Sequence, residues 1–293
     1  MKRAIALVSA AFVLVALLGC SQTPYPAGTT TQTIRVGGSD RQFLVTIPSV
    51  SLRDAPLVVV LHGGLGSGDQ ARSAYGWDEL AAAEGFVVAY PDGLGRAWNA
   101  GDGCCGASGE NGVDDVRFIT RMIDEIAGSV SIDRDRVYAA GMSNGAMMAY
   151  RLACDTDEFA AIGAVAGTIL GECEDPAPLS VIAIHGDADE SVRMDGEPGA
   201  GLENIDGMPV ADVNQLWRDV DECESPESVA GDVSTLTASC GLRSVELVVV
   251  AGAGHQWPGS TQSAAQKAIG GDPPSTAIDA TTEIWRFFEG TSR

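Results

Sequence analysis

The stretch Arg136-Val137-Tyr138-Ala139-Ala140-Gly141-Met142-Ser143-Asn144-Gly145-Ala146-Met147 decides the fold. Arg136–Gly141 reads as a strand, and Asn144 opens a segment of helical period that runs to Cys154. Between them lies Gly141-x-Ser143-x-Gly145, with no second G-x-S-x-G in the chain. A sharp turn from strand to helix would set the Ser143 hydroxyl at the C-terminal edge of a sheet. The small flanking residues relieve crowding around a strained backbone. The helix that follows would aim its N-terminal N–H groups and positive dipole end at a developing oxyanion.

Outward from this turn, strand-like apolar runs alternate with segments of helical period. Phe43–Ile47, Leu57–Leu61, Phe86–Tyr90, Ala160–Ala166, Val181–His185 and Val245–Val250 read as further strands. Several are almost uninterrupted apolar runs, the mark of parallel strands buried on both faces. Gln70–Glu84, Asp114–Gly128, Pro209–Asp221 and Ser275–Phe288 read as helices, with Asp114 as an N-cap. The repeated order of strand and helix predicts an α/β fold, a mostly parallel doubly wound sheet with helices on both faces.

A serine nucleophile needs a base, and the chain has three histidines, His62, His185 and His255, each at or just past the end of a strand-like run. That edge is where sites form in doubly wound sheets. In the chain order Ser…Asp…His, only His255 follows both a nucleophile and an acid. The acid belongs after the penultimate strand, where Asp187 and Asp189 are both candidates. Asp187 could equally serve as a turn former, whereas Asp189 lies further into the loop toward the next strand. For the oxyanion hole, one donor is the backbone N–H of Asn144. The other is Gly64 in His62-Gly63-Gly64-Leu65-Gly66, with Leu65 as the alternative. That glycine run lacks the Gly-Lys-Ser/Thr ending of a phosphate loop, and no cofactor is expected. Trp98, in the Gly-dense loop Pro91–Gly112, and Trp257, two residues past His255, are candidate substrate contacts. The competing readings are a disulfide-pinned surface loop for the first and core packing for the second.

Composition narrows the partners. The 293 residues carry 40 acidic and 18 basic side chains, a net charge of −22, which excludes a phosphate-binding face for nucleic acid. With three histidines and no C-x-x-C pair, no metal site is expected. The basic start Met1-Lys2-Arg3 and the apolar run Ala4–Leu18, too short to span a bilayer, describe an export signal over 1–19. Leu17-Leu18-Gly19-Cys20 looks like a bacterial lipobox, with Cys20 as the lipidated residue; ordinary secretory cleavage nearby is the alternative. Residues 20–33 read as this anchor and a flexible tether, and 34–293 as one catalytic domain. Export makes disulfides the expectation for Cys104, Cys105, Cys154, Cys173, Cys223 and Cys240. Cys223 with Cys240 is the expected local pair, and adjacent Cys104 and Cys105 are expected to reach different partners.

Motifs beyond the serine turn extend the pattern. They are Leu61-His62-Gly63-Gly64, Tyr90-Pro91-Asp92-Gly93, Trp98, Cys104-Cys105-Gly106, Val113-Asp114-Asp115-Val116, Tyr150-Arg151-Leu152-Ala153-Cys154, His185-Gly186 with Asp189, and His255-Gln256-Trp257-Pro258-Gly259. With these the chain beyond Phe43 resembles the polyhydroxybutyrate depolymerase-like and feruloyl esterase-like secreted esterases of the α/β-hydrolase fold, which include lipoprotein esterases. The resemblance implies a triad of Ser143, Asp189 and His255, and so favours Asp189 over Asp187. The chain departs from the family pattern at Asp187-Ala188-Asp189-Glu190-Ser191-Val192, and it shows no separate polymer-binding tail. The expected protein is a monomeric, exported serine carboxylesterase at the cell surface, touching the membrane only through a lipid at Cys20. Its expected substrates are short-chain, hydroxyalkanoate or hydroxycinnamoyl esters. A serine peptidase or lipase on the same fold, or a non-catalytic surface-binding lipoprotein, are the rival readings.

Overall fold

The computed structural model describes residues 25–50, 52–200, 205–262 and 271–293. The expected export signal over 1–19 and the lipid attachment at Cys20 lie outside the described residues. Among the described residues no helix is long and apolar enough to cross a membrane.

Ten strands form one sheet: β1 (Gly28–Val36), β2 (Ser39–Ile47), β3 (Ala55–Leu61), β4 (Val87–Pro91), β5 (Ile132–Met142), β6 (Ala161–Val165), β7 (Ser180–Gly186), β8 (Glu227–Val229), β9 (Val233–Cys240) and β10 (Arg243–Val250). Across the sheet they run β1-β2-β4-β3-β5-β6-β7-β10-β9-β8. The six from β4 to β10 are parallel, and antiparallel pairs close both edges. Helices α1 (Gly68–Tyr75) and α2 (Trp77–Glu84) join β3 to β4, and α3 (Gly106–Glu110) and α4 (Asp115–Ser129) lead to β5. Then come α5 (Asn144–Asp155), α6 (Val210–Val220) and the last helix, α7 (Ala280–Phe288).

The two-residue period of β3 explains the layering. Leu57, Val59 and Leu61 face the core that α4, α5 and α6 close, while Val58 and Val60 face the one closed by α1, α2 and α7. All five side chains are fully buried, each worth about 1.5–3 kcal/mol, so an unbroken apolar run is what this position requires. The expected α/β class, with a mostly parallel sheet and helices on both faces, is the fold observed.

Three expectations need correction. The tether was expected to reach Thr33, but β1 begins at Gly28 and pairs with β2 over its whole length. Thr29, Thr30, Thr31 and Thr33 are β-branched, and an edge strand with one wet face has no need of an apolar run. The segment between Cys223 and Cys240 contains strands β8 and β9, for the same reason. Gln70–Glu84 is two helices, broken at Gly76, whose φ of 81° no helix can continue. Cys104 and Cys105 bridge each other rather than separate partners. The pairs Cys154–Cys173 and Cys223–Cys240 consume the other four described cysteines, so no other partner remains among the described residues.

Candidate active site

The turn between β5 and α5 holds Ser143 at φ 54° and ψ −123°, a left-handed conformation that a serine adopts only where its surroundings over-determine it. A Cβ on Gly141 would lie 2.3 Å from the Gly145 carbonyl oxygen, and one on Gly145 would lie 2.3 Å from that of Leu61. Both glycines are therefore dictated by backbone contact, and the second lets α5 start hard against the end of β3. Ser143 N–H donates to the Val165 carbonyl at 2.9 Å, tying the turn to β6.

His255 follows β10, and its Nε2 lies 2.8 Å from Ser143 Oγ. Its Nδ1 lies 2.8 Å from Asp189 Oδ2, beyond β7. The register of β7 beside β10 brings these two loops together, and Asp187 N–H donates to the Val250 carbonyl at 3.3 Å. The carboxylate of Asp189 is fully buried, while the imidazole of His255 is 19% exposed, so the base but not the acid reaches solvent. Asp189 Oδ1 accepts from the N–H groups of Ser191 and Val192, both at 2.8 Å. Burial alone would raise the Asp189 carboxyl. The hydrogen bond and charge of His255, the Val192 N–H and nearby His185 outweigh it and hold the carboxyl below its ordinary range. Asp187 instead accepts from Gly252 N–H at 2.6 Å, a tie to the loop after β10 and not the bond to its own turn that the sequence offered as its other role.

On the other side of Ser143, the start of α5 offers the N–H of Asn144, which as the first helical residue has no partner within its helix. The loop after β3 faces it. Leu65 N–H is taken by the Arg96 carbonyl at 2.8 Å, so the alternative donor is occupied, while Gly64 N–H has no acceptor among the described residues. Gly63 in the same loop lies beside the nucleophile, where a Cβ would stand 3.6 Å from that of Ser143.

Trp98 and Trp257 need correction as substrate contacts, because both are buried. Trp257 stacks on Tyr75 at 4.3 Å between ring centroids, and its Nε1–H donates to Thr281 Oγ1 at 3.1 Å. Trp98 is bonded to both His62 and Asn144. Each aromatic ring is large enough to fill the core beneath its loop, and that burial is what the sequence reading missed.

Four further residues stand around the site, two of them histidines the sequence had set aside as the base and two whose roles it did not show. Asp272 accepts from the backbone N–H of His255 at 2.7 Å. His62 is buried, with Nδ1 donating to the Gly63 carbonyl at 2.8 Å and Nε2 accepting from Gly93 N–H at 3.0 Å. Burial lowers its pKa, which keeps the ring neutral and suited to that arrangement. His185 is likewise buried and lowered by desolvation; its Nε2 donates to the Val192 carbonyl at 2.8 Å and lies 3.6 Å from Asp189 Oδ2. Asp115, at the start of α4, is paired with buried Arg41 at 2.6 Å. That each histidine lies at a strand end was visible in the sequence, but nothing local marked Asp272 or the Arg41 pairing, which join residues 17 and 74 positions apart.

Residues 42–215 match the family model described as Esterase PHB depolymerase. The chain is 33% identical over 230 residues to NocK of Nocardia uniformis subsp. tsuyamanensis, named as an esterase, an alignment covering 70% of this chain and 66% of that one. It is 29% identical to feruloyl esterase B of Piromyces equi over 73% of this chain and 42% of that one. With the poly(3-hydroxyalkanoate) depolymerase C of Paucimonas lemoignei it shares 30% identity over 53% and 38%. The chain thus spans less than two thirds of each of these relatives. Among solved structures, the acetyl xylan esterase of Aspergillus awamori superposes with a TM-score of 0.60 at 16% identity, over 82% of this chain and 97% of that one. A dienelactone hydrolase-like promiscuous phosphotriesterase from metagenomic libraries gives a TM-score of 0.61 at 16% identity, over 91% and 100%. At such identities the likeness is one of fold, the α/β-hydrolase fold.

Proposed function

Because the chain belongs to the family of PHB depolymerase esterases, we propose that it is an exported serine carboxylesterase that works through an acyl-serine intermediate. The observation that carries this reading is the unbroken hydrogen-bonded line from Ser143 Oγ through His255 to Asp189. In the first half-reaction Ser143 Oγ attacks the ester carbonyl carbon and passes its proton to His255 Nε2. Asp189 keeps the Nδ1–H tautomer of His255 and stabilises the imidazolium without taking its proton. The carbonyl oxygen becomes an anion facing the N–H groups of Asn144 and Gly64, at the positive end of the α5 dipole. The tetrahedral adduct collapses, His255 protonates the departing alkoxide, and an ester to Ser143 remains. Water then gives a proton to the same Nε2, attacks the acyl carbon and frees the acid.

Names of relatives support feruloyl-type, hydroxyalkanoate or acetyl esters, the last being short-chain, as the substrate class. The disulfides Cys154–Cys173 and Cys223–Cys240 support an oxidising compartment, and Leu17-Leu18-Gly19-Cys20 supports a lipid anchor on the outer side of a membrane. The test compares wild type with Ser143→Ala on p-nitrophenyl acetate. A fall in kcat of at least about a thousand-fold is expected. Equal rates would sink the catalytic reading. Feruloyl, acetyl-sugar and hydroxybutyrate esters, ranked by kcat/KM, then identify the acyl group.

A further inference from the structure

Trp98 is the tryptophan that joins the two sides of the site. Its backbone N–H donates to Asn144 Oδ1 at 2.7 Å, and Asn144 Nδ2 donates back to the Trp98 carbonyl at 3.0 Å. Its indole Nε1–H donates to the His62 carbonyl at 2.8 Å, and the two rings lie 4.8 Å apart. One residue thus grips the first residue of α5 with its backbone and the end of β3 with its side chain. All of these contacts are buried, so no water substitutes for them.

We propose that Trp98 is a positioning residue that sets the separation and tilt of the two oxyanion donors; this rests on the esterase reading above. The C=O and N–H of a trans peptide unit point in opposite directions. Holding the His62 carbonyl toward Trp98 therefore fixes the His62–Gly63 amide plane, and the next amide, which carries the Gly64 N–H, is then held through its Gly63 carbonyl, which accepts from His62 Nδ1–H at 2.8 Å and Gly66 N–H at 3.0 Å. On the other wall, the two-way amide clasp locks the Asn144 side chain and with it the residue whose own N–H is the second donor. Trp98 is itself held from behind: Asn99 N–H donates to Asp115 Oδ2 at 2.8 Å, and Cys105 N–H donates to the Trp98 carbonyl at 2.8 Å. A tryptophan that only filled space would not need the indole bond: Trp77 and Trp285 are packed with Nε1 unpartnered. Preorganised donors act on the transition state rather than on the bound substrate, so a slack oxyanion hole lowers kcat and leaves KM in place.

Two substitutions test this without emptying the core. Trp98→Phe keeps an aromatic ring and both backbone bonds but loses the bond to His62. Asn144→Ala keeps the backbone donor and loses the clasp. Each is expected to lower kcat on p-nitrophenyl acetate about tenfold, with KM within about twofold of wild type. The Ki of an aryl trifluoromethyl ketone, which adds to Ser143 as a tetrahedral oxyanion, should rise by the same factor. A space-filling role predicts a lower Tm with kcat and Ki unchanged, and that result in Trp98→Phe would overturn the proposal. Should Trp98→Phe fail to fold, unchanged kcat and Ki in Asn144→Ala overturn it equally. A wild-type protein inert toward both ester and ketone would instead overturn the esterase reading on which the proposal stands.

Discussion

Two loops reach Ser143 from opposite sides, and they are secured by different physics. The loop after β4, residues 92–114, is laced by directional polar bonds. Trp98 is tied to Asn144 and His62, and Asp115 gathers Asn99 N–H, the Ser108 hydroxyl and the Arg41 guanidinium. The loop after β10, residues 251–262, rests on aromatic packing, with Trp257 stacked on Tyr75 and edge-on to Trp77 at 6.5 Å. Its polar ties hold mainly backbone, with Asp272 on His255 N–H and Asp187 on Gly252 N–H. The difference fits the tasks proposed for the two sides. Oxyanion donors must hold an angle as well as a place, and hydrogen bonds in a low dielectric fix angles. A base that receives and returns a proton needs its ring held at Nδ1, by Asp189, with Nε2 left to the nucleophile, and packing of Trp257 supports the loop that carries it.

The comparison is broken most severely at Asp115. Its carboxylate is fully buried beside the equally buried Arg41, which also lies over the Phe118 ring at 3.9 Å. Asp115→Ala would strand a buried guanidinium, at a cost of about 3–5 kcal/mol in unfolding free energy by urea titration. Replacing both members with apolar residues of similar size, Arg41→Met with Asp115→Leu, should recover much of the loss. A single-mutant loss below about 1 kcal/mol would mean that polar lacing does not hold this loop.

A smaller effect sharpens the contrast. Trp257→Phe keeps the stack on Tyr75 and loses only the bond to Thr281, so about 1 kcal/mol of stability should go, with kcat within about twofold of wild type. Trp98→Phe makes the same chemical change on the polar side, where the expected loss is in kcat. If the two variants lost kcat equally, the division into an angle-setting wall and a packed wall would fall.

The same contrast governs what could be read from the sequence. Packing leaves a local trace: the unbroken run Leu57–Leu61, the helical period beginning at Asn144 and the glycines on either side of Ser143 each have one physical solution. Ser143 and His255 stand where chain order and strand ends restrict such groups, whereas the same reasoning left Asp187 beside Asp189 until the family resemblance favoured the second. The polar lacing was not legible, since Arg41 meets Asp115 across 74 residues and Trp98 meets Asn144 across 46, with no periodicity linking them. Trp98 and Trp257 read as rim residues because each sits among glycines near a strand end. Their burial depends on helices contributed from elsewhere in the chain, α4 and α5 around Trp98 and α1, α2 and α7 around Trp257. Strand β1 was hidden for another reason, because a threonine-rich edge strand and a polar tether share a composition.

The smallest expected effect separates the two walls from the frame that carries them. His62 on one side and His185 on the other are held neutral by burial, below the ordinary imidazole value near 6.5. As pH falls past that value the unfolded chain binds protons that the folded one refuses, so stability drops on acidification. Asp221, at the end of α6, has the opposite sign. Burial outweighs its bond to Arg243 and raises its carboxyl from 3.8 to about 6, and one oxygen has no partner. Between those values the folded chain binds the proton more readily than the unfolded one, so Asp221 stabilises on acidification and offsets part of the histidine loss. Asp221→Asn removes the offset, and the fall in Tm from pH 7 to pH 5 should steepen by an amount bounded by about 1.4 kcal/mol per pH unit for one proton. An unchanged slope would mean that Asp221 stays ionised in the fold, leaving the histidines of the two walls to set the acid limit alone.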